Sequence, residues 1–281
     1  MTNSHFSIFV LFYQITATQN MKHVLTAVVI LLTFHTQAAS WEENSKVGEL
    51  FKSAGVNGAF VLYDVAAQTY TGHDEARAEK RFVPASTFKI PNSLIGLSVG
   101  AVTSVDEVVP YKGPPHPFIQ AWAKDMGLRE AIALSNVPIY QELARRIGLD
   151  RMRENVARMN YGNKEIGDIV DRFWLAGPLQ ISAVEQTQFL AKLAQDALPF
   201  PQEFQQSVRE IILLEQGANW KLYGKTGWQN APGQGIGWWV GWVQKDAHIY
   251  AFALNMDMQQ ASDASKRVEL GKASLKALGI L

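Results

Sequence analysis

Strand-like segments lie near both ends of this 281-residue chain, and helical segments separate them. Residues 58–65 and 68–72 are typical of two strands of an antiparallel ribbon, because β-branched and aromatic residues are bounded there by turn residues. Three further strand-like runs follow at residues 220–228, 235–244 and 248–257. Strands so distant in sequence can share one sheet only if the intervening helices pack outside it. The pattern predicts an α/β (α+β) fold: one antiparallel sheet flanked by helices, with an all-helical insert at about residues 105–180.

The predicted helices carry apolar residues at helical spacing and end at glycine, asparagine or a turn. They are expected at residues 117–127, 129–136, 138–148, 150–160, 182–196, 202–214 and 261–278. Within this set, Ser182 and Glu185 have the spacing of a capping box, in which the two residues satisfy each other's free backbone N–H groups. We therefore expect Ser182 to be the N-cap of its helix.

The N-terminal segment has the layout of a secretory signal peptide. From Met21 the chain has a short basic stretch, an apolar run at residues 24–34 and small residues before Ser40. The apolar run is about half as long as a membrane span, although a membrane anchor stays an alternative. We expect an upstream extension at residues 1–20, a signal peptide at 21–39 and a single domain at 40–281. The domain would be exported, to the periplasm of a Gram-negative bacterium, without stable membrane association after cleavage; the sequence does not decide between Met1 and Met21 as the start.

The composition narrows the classes of partner and of chemistry. Lys plus Arg and Asp plus Glu both number 26, so the formal net charge is zero, which argues against nucleic acid as a partner and favours a small-molecule substrate. Cysteine is absent, which excludes a cysteine nucleophile and thiolate metal sites. The six histidines are scattered and give little support to a zinc site or a Ser-His-Asp triad. We expect no metal, and any activated serine needs another base.

A single charged residue, Lys89, stands between residues 82 and 104, three positions after Ser86. A lysine is a base only when neutral, and burial in apolar surroundings lowers its pKa from about 10.4. The spacing puts both side chains on one face of a helix, with the Ser86 N–H free near the helix start to stabilise an oxyanion. Pro91 predicts local strain, because proline in a helix interior loses a hydrogen bond. The alternative is a lysine whose amine reaches solvent from the edge of the helix.

Four further motifs follow along the chain. They are Ser135-Asn136-Val137, Tyr161-Gly162-Asn163, Phe173-Trp174-Leu175-Ala176-Gly177 and Lys225-Thr226-Gly227. Each has an ordinary structural explanation: a turn, the end of a helix, a buried tryptophan, or part of a strand. A phosphate-binding loop ending at Lys225 is excluded, because its first glycine would fall at Asn219.

Taken in order, these motifs and Ser86-x-x-Lys89 resemble the class D serine β-lactamases, the oxacillinases. The flanking sequences PASTFKIPNSL, FWLAGPLQISA and GWWVGWV resemble that family too, over essentially the whole of residues 40–281. The resemblance implies the serine β-lactamase/penicillin-binding-protein transpeptidase-like fold. It also implies hydrolysis of the β-lactam ring of penicillin-type antibiotics through a serine acyl-enzyme, and hence β-lactam resistance. Ala176 departs from the acidic residues common at its position, and we expect this to alter loop contacts and substrate range.

The resemblance also implies roles for particular residues. The implied catalytic set is Ser86, Lys89, Ser135, Trp174 and Lys225. In the implied substrate-binding set, Val137 and Leu175 are apolar walls, and Thr226 and Arg267 hold the substrate carboxylate. The set also includes Gly227 and Trp228. The backbone N–H of Trp228 would form an oxyanion hole together with that of Ser86. Lys89 would be carboxylated by carbon dioxide or bicarbonate to N6-carboxylysine, held by the Trp174 indole, with no other cofactor.

Two alternatives share most of these motifs. A penicillin-binding DD-carboxypeptidase has the same fold and the same three catalytic elements, and an antibiotic sensor domain resembles class D closely. The absence of an obvious anchor argues against the first, and the absence of preceding transmembrane and protease modules argues against the second. The sequence leaves open the substrate spectrum, including carbapenems, and whether the protein forms a homodimer.

Overall fold

The computed structural model describes residues 40–230 and 235–281 and contains one seven-stranded sheet in the order β1-β3-β2-β7-β6-β5-β4. The strands are β1 (Trp41–Glu43), β2 (Gly58–Asp64), β3 (Thr69–His73), β4 (Leu213–Gln216), β5 (Trp220–Gln229), β6 (Gly235–Lys245) and β7 (His248–Met258). β2 pairs with β7 along its whole length, so strands from both ends of the chain share one sheet. The predicted antiparallel sheet is confirmed, with one exception: the short β1, which was not predicted, pairs with β3 in parallel.

The side chains of β6 show how the sheet separates two apolar cores. Successive residues of a strand point to opposite faces. Trp238 and Trp242 accordingly lie in one cluster of buried residues and Trp239 lies in the other, each at most 1% exposed. The central part of the sheet is therefore covered on both faces, and its residues are apolar without strict alternation.

Ten α-helices and three short 3₁₀ turns accompany this sheet in the described residues. The helices are α1 (Ser45–Ala54), α2 (Glu75–Glu79), α3 (Lys89–Ser98), α4 (Leu128–Ala133), α5 (Val137–Ile147), α6 (Leu149–Arg158), α7 (Phe173–Ala176), α8 (Ala183–Ala194), α9 (Gln202–Ile211) and α10 (Lys266–Ala277). The 3₁₀ turns are Ala85–Phe88, Gln120–Trp122 and Ala261–Ala264. The terminal helices α1 and α10 contribute to one core, while α3, α5 and α8 contribute to the other.

The segment predicted as the helical insert contains four of these helices. Residues 105–180, all of them described, include α4, α5, α6 and α7 and no β-strand. The helix predicted at 117–127 is wrong, because only a 3₁₀ turn, Gln120–Trp122, forms there. The residues on either side of this turn, Ile119 and Ala123, have non-helical backbone angles, so the turn does not extend into an α-helix.

The C-terminal end of α9 differs from its prediction, whereas the N-terminal end of α8 agrees with it. The predicted helix at 202–214 ends at Ile211, because the chain then enters β4 and pairs with β5. The capping box of α8 is confirmed: the Ser182 hydroxyl accepts from the Glu185 N–H at 3.1 Å, and Glu185 accepts from the Ser182 N–H at 2.9 Å. A helix end set by side chains close in sequence is therefore easier to predict than one set by strand pairing.

The predicted upstream extension and signal peptide lie outside the described residues. Within residues 40–230 and 235–281, no helix has both the length and the apolar character needed to cross a bilayer.

The capping box predicts the effect of a substitution on stability. Ser182→Ala is expected to lower the free energy of unfolding by about 1 kcal/mol, because the first turn of α8 loses a hydrogen-bond acceptor. Ser207→Ala in α9 is the control, since the Ser207 hydroxyl only donates back to Glu203 O at 2.9 Å within its own helix. Urea denaturation measures both, and equal effects for the two variants would contradict the assignment of Ser182 as a stabilising cap.

Candidate active site

Ser86 and Lys89 meet where a 3₁₀ turn runs into α3. Ser86 lies in the turn Ala85–Phe88, and Lys89 is the first residue of α3. Lys89 Nζ donates a hydrogen bond to Ser86 Oγ at 2.8 Å. The predicted spacing therefore puts the amine within proton-transfer distance of the hydroxyl, the geometry that a nucleophile and its base require.

The Lys89 side chain is completely buried. Burial lowers its pKa well below the ordinary lysine value, and the nearby Lys225 lowers it further, because a charged ammonium is poorly solvated there and repelled by a like charge. Its Nζ lies 5.3 Å from the centroid of the Tyr140 ring. The alternative of a lysine reaching solvent from the helix edge is wrong, and the amine is available as a base.

The strain predicted at Pro91 does not arise. Pro91 is the third residue of α3, in the first turn, where N–H groups have no partner within the helix. The unusual backbone is found instead at Ala85 and Ser135, whose φ angles are +50° and +55°. Left-handed conformations are uncommon for residues other than glycine, and surrounding contacts must hold them. Ala85 directly precedes Ser86, and Ser135 is itself a predicted site residue.

Ser135 and Lys225 form a second pair on other elements. Ser135 lies between α4 and α5, and Lys225 lies on β5. Lys225 Nζ donates to Ser135 Oγ and to Thr226 O, both at 3.1 Å. Burial, with a further contribution from the positive Arg267, lowers the pKa of Lys225 to about 7. The Lys225 amine therefore changes its protonation state near neutral pH, within hydrogen-bond distance of Ser135 Oγ.

Gly227 allows β5 to approach the turn that carries Ser86. A Cβ atom at this position would lie 3.0 Å from both Pro84 O and Thr87 Cγ2. Real Cβ contacts of that length require the neighbour to move, and one of these neighbours is backbone. The glycine of Lys225-Thr226-Gly227 is thus explained by close packing against the nucleophile turn.

A cleft of about 290 Å³ opens beside Ser86. Seven of the predicted site residues line it: Ser86, Ser135, Val137, Thr226, Gly227, Trp228 and Arg267. Four lining residues were not predicted: Phe118, Ile119, Trp122 and Asn230. Phe118 is 82% exposed, an unusual exposure for a large apolar side chain. Phe118 was not assigned to the site because the sequence analysis placed it in a predicted helix at residues 117–127.

Arg267 is positioned by backbone carbonyl groups. Its Nη1 donates to Gly227 O at 2.5 Å and its Nε donates to Ala264 O at 2.8 Å. Burial lowers the pKa of this guanidinium to about 10, so it keeps its charge at neutral pH. A fixed cation at the edge of the cleft can bind a carboxylate.

The remaining predicted residues lie outside the cleft lining. Leu175 is half-buried on α7 and packs against the main core instead. Trp174 is fully buried, and its ring stacks on Phe88 with centroids 5.6 Å apart. Among the described residues, its indole N–H has no hydrogen-bond acceptor. A buried donor without a partner is uncommon in folded proteins.

Tyr161-Gly162-Asn163 holds the loop that carries Trp174. The Asn163 side chain donates to Pro178 O and accepts from the Gln180 N–H, each at 3.0 Å. Gly162 has φ +53°, and a Cβ there would lie only 2.1 Å from Gln180 O. This motif is therefore more than the end of a helix, because it fixes both ends of a turn next to α7.

The fold and this pair of serine–lysine contacts define a protein of the penicillin-binding transpeptidase class. The family model described as the penicillin binding protein transpeptidase domain matches residues 57–276.

The relatives narrow the class further. The chain is 37% identical over 257 residues to β-lactamase OXA-10 of Pseudomonas aeruginosa, covering 90% of this chain and 96% of that protein. It is 38% identical over 239 residues to β-lactamase OXA-48 of Klebsiella pneumoniae, covering 85% and 90%. The crystal structure of FUS-1 (OXA-85), a class D β-lactamase from Fusobacterium nucleatum subsp. polymorphum, matches with a TM-score of 0.83 and 44% identity, covering 85% of this chain and 100% of that one. The chain belongs to the class D β-lactamase family.

The low pKa of Lys225 predicts a pH-dependent stability. The pKa of Lys225 is about 7 in the folded state and about 10.4 in the unfolded chain. Between these two pH values only the unfolded chain binds the proton, so the free energy of unfolding rises with pH. Lys225→Met should lose this rise, which amounts to about 1.4 kcal/mol per pKa unit. The control is the exposed Lys276→Met, which should keep the wild-type slope. Urea denaturation from pH 6 to 10 measures the slopes; parallel curves for wild type and Lys225→Met would contradict the assignment.

Proposed function

We propose that this protein hydrolyses the β-lactam ring of penicillin-type antibiotics through an acyl-enzyme on Ser86, and so confers β-lactam resistance. The observation that carries the proposal is the 2.8 Å contact between Ser86 Oγ and the fully buried Lys89 amine. A neutral amine at that distance can accept the serine proton. The names of the relatives as β-lactamases support the choice of substrate.

In acylation, Ser86 Oγ bonds to the lactam carbonyl carbon and its proton passes to the base at Lys89. The N–H groups of Ser86 and Trp228 are assigned to the oxyanion. The lactam C–N bond then breaks, and Ser135 delivers a proton to the leaving nitrogen and recovers the proton that the base at Lys89 took from Ser86. Lys225, 3.1 Å from Ser135 Oγ, supports this transfer.

Substrate binding uses the residues around this centre. Arg267 and Thr226 hold the substrate carboxylate, and Val137 forms an apolar wall of the cleft. In deacylation, water gives a proton to the base at Lys89 as its oxygen bonds to the ester carbonyl carbon. The bond from that carbon to Ser86 Oγ then breaks, and the serine takes that proton from Lys89. Leu175 lies on α7 and packs against the main core, so it is assigned a supporting role and not a place in the cleft wall.

Lys89 is proposed to carry a carboxyl group added from carbon dioxide. A neutral amine is the form that reacts, and burial favours that form. The modified residue would be a negatively charged general base for both acylation and deacylation. A buried anion needs hydrogen bonds, and the Trp174 indole N–H, buried without an acceptor in the described structure, is a donor of the required kind. No other cofactor and no metal is assigned.

The two alternative functions are less well supported. A DD-carboxypeptidase and a sensor domain would share Ser86 and Lys89, but the chain spans 96% of OXA-10, a protein called a β-lactamase. Export to the periplasm belongs to the proposal as well, and rests on the signal-peptide layout of residues 21–39. Formation of a homodimer stays an open prediction.

The nucleophile is tested by mass spectrometry with a slowly released β-lactam. The wild-type protein should gain one adduct, on the peptide that contains Ser86, and Ser86→Ala should gain none. Ser135→Ala is the comparison, because it keeps the nucleophile and should form the adduct more slowly. An adduct of equal amount on Ser86→Ala would disprove the assignment.

The carboxylated lysine is tested by the dependence of activity on bicarbonate. Trp174→Phe removes the indole donor, so it should need a higher bicarbonate concentration than wild type for half-maximal turnover and should be partly rescued when bicarbonate is raised. The control is Trp41→Phe on the edge strand β1, whose indole donates to Glu43 at 3.1 Å. That control should keep the wild-type dependence. If Trp174→Phe and wild type respond alike to bicarbonate, Trp174 does not hold the group.

A further inference from the structure

The turn that carries Ser86 has a backbone that needs outside support. Ala85 has φ +50°, and Ser86 follows it directly. An L-residue adopts this conformation only when its surroundings hold it there. None of the catalytic roles assigned above holds the Ala85 backbone in this conformation. The carbonyl group before Ala85 is that of Pro84, and its contacts can fix the conformation of the turn.

Three buried side chains form a directed series of hydrogen bonds that ends on Pro84. The Thr87 hydroxyl donates to Pro84 O at 2.8 Å, Gln186 Nε2 donates to Thr87 Oγ1 at 2.9 Å, and the Tyr161 hydroxyl donates to Gln186 Oε1 at 3.4 Å. A hydroxyl has one proton, and Thr87 uses it on Pro84, so Thr87 must accept from Gln186. The amide oxygen of Gln186 is then free to accept from the Tyr161 hydroxyl, which also lies close to the hydroxyl of Thr87.

Each member is 1% exposed, so water cannot readily replace a lost bond. Burial raises the pKa of Tyr161, which keeps its hydroxyl protonated as the first donor. The series also gives a role to two sequence features that the mechanism leaves unused, the tyrosine of Tyr161-Gly162-Asn163 and the helix α8 that carries Gln186.

Two further contacts hold the same turn from the sheet. Trp238 Nε1 donates to Val83 O at 2.9 Å, and Gly227 packs directly against Pro84 and Thr87. The first contact holds Val83, the residue before Pro84, and the second is close packing without a hydrogen bond. The Pro84 carbonyl also accepts from the Thr87 backbone N–H at 3.2 Å. Among the described residues, the Thr87 hydroxyl is the side-chain contact that connects this carbonyl with α8.

We propose that Gln186, acting through Thr87, is a positioning residue that keeps the Pro84–Ser86 turn in the conformation needed for attack by Ser86. This inference rests on the proposed function, since it concerns the same acylation step. Small displacements of a nucleophile lower rates strongly, by up to about 10²-fold for roughly 1 Å. Loss of the series should therefore slow acylation more than it weakens substrate binding.

The test uses the whole protein and measures the rate constant of acylation by a slowly released β-lactam at saturating concentration, together with the temperature of unfolding. Thr87→Val removes the hydroxyl with little change of shape, while Thr87→Ser keeps it. Gln186→Met removes the amide at similar length. The control is Gln205→Met in α9, because Gln205 is also fully buried and donates to Leu198 O and Phe200 O at 3.1 and 2.8 Å, outside the site.

We expect Thr87→Val and Gln186→Met each to slow acylation by about tenfold or more, and their combination to slow it little further, because both break one series. Thr87→Ser should stay within about threefold of wild type. Gln205→Met should lower the unfolding temperature without changing the acylation rate constant. If Gln186→Met is acylated at the wild-type rate while its unfolding temperature falls as in Gln205→Met, Gln186 is structural and the inference is wrong. If wild type itself forms no adduct, the proposed function fails instead.

Discussion

The burial of Lys89 against Ser86 is the interaction on which the rest of the site depends. In water, a lysine amine is protonated at neutral pH and cannot accept a proton from serine. In this fold, α3 lies inside the core, the amine has no contact with solvent, and desolvation lowers its pKa. The same core that stabilises the protein therefore creates the base. Stability and function are opposed at this position, because an apolar residue would be buried more favourably.

The sheet brings the second half of the site to this base. β5 carries Lys225 to the edge of the nucleophile turn, and Gly227 permits the close approach. Two buried lysine amines, those of Lys89 and Lys225, then lie near the half-buried guanidinium of Arg267, and burial lowers the pKa of all three groups. Arg267 keeps its positive charge at neutral pH and so suits an anionic substrate, while the pKa of Lys225 is about 7 and that of Lys89 lies well below the ordinary lysine value.

Sequence analysis predicted the parts of the site that depend on local spacing or on a family motif. Ser86 and Lys89 were found from a single charge in an apolar run, and Ser135, Lys225 and Arg267 from resemblance. Phe118 at the mouth of the cleft was missed because its segment was taken for a helix, whereas only a 3₁₀ turn forms there. The φ of Ala85 and the link from Gln186 to Thr87 depend on contacts between residues about a hundred positions apart, and no local pattern predicts such contacts.

The state of the Lys89 amine is the most direct test of this account. Lysine labelled with ¹³C at Cε and ¹⁵N at Nζ can be followed by NMR as the pH is varied in buffer free of carbon dioxide, and the Lys89 signal can be assigned by its loss in Lys89→Met. The account predicts that this signal titrates well below the signals of the exposed lysines and reports a neutral amine at neutral pH. A signal that titrates together with the exposed lysines would contradict it, because a charged Lys89 could not serve as the base for Ser86.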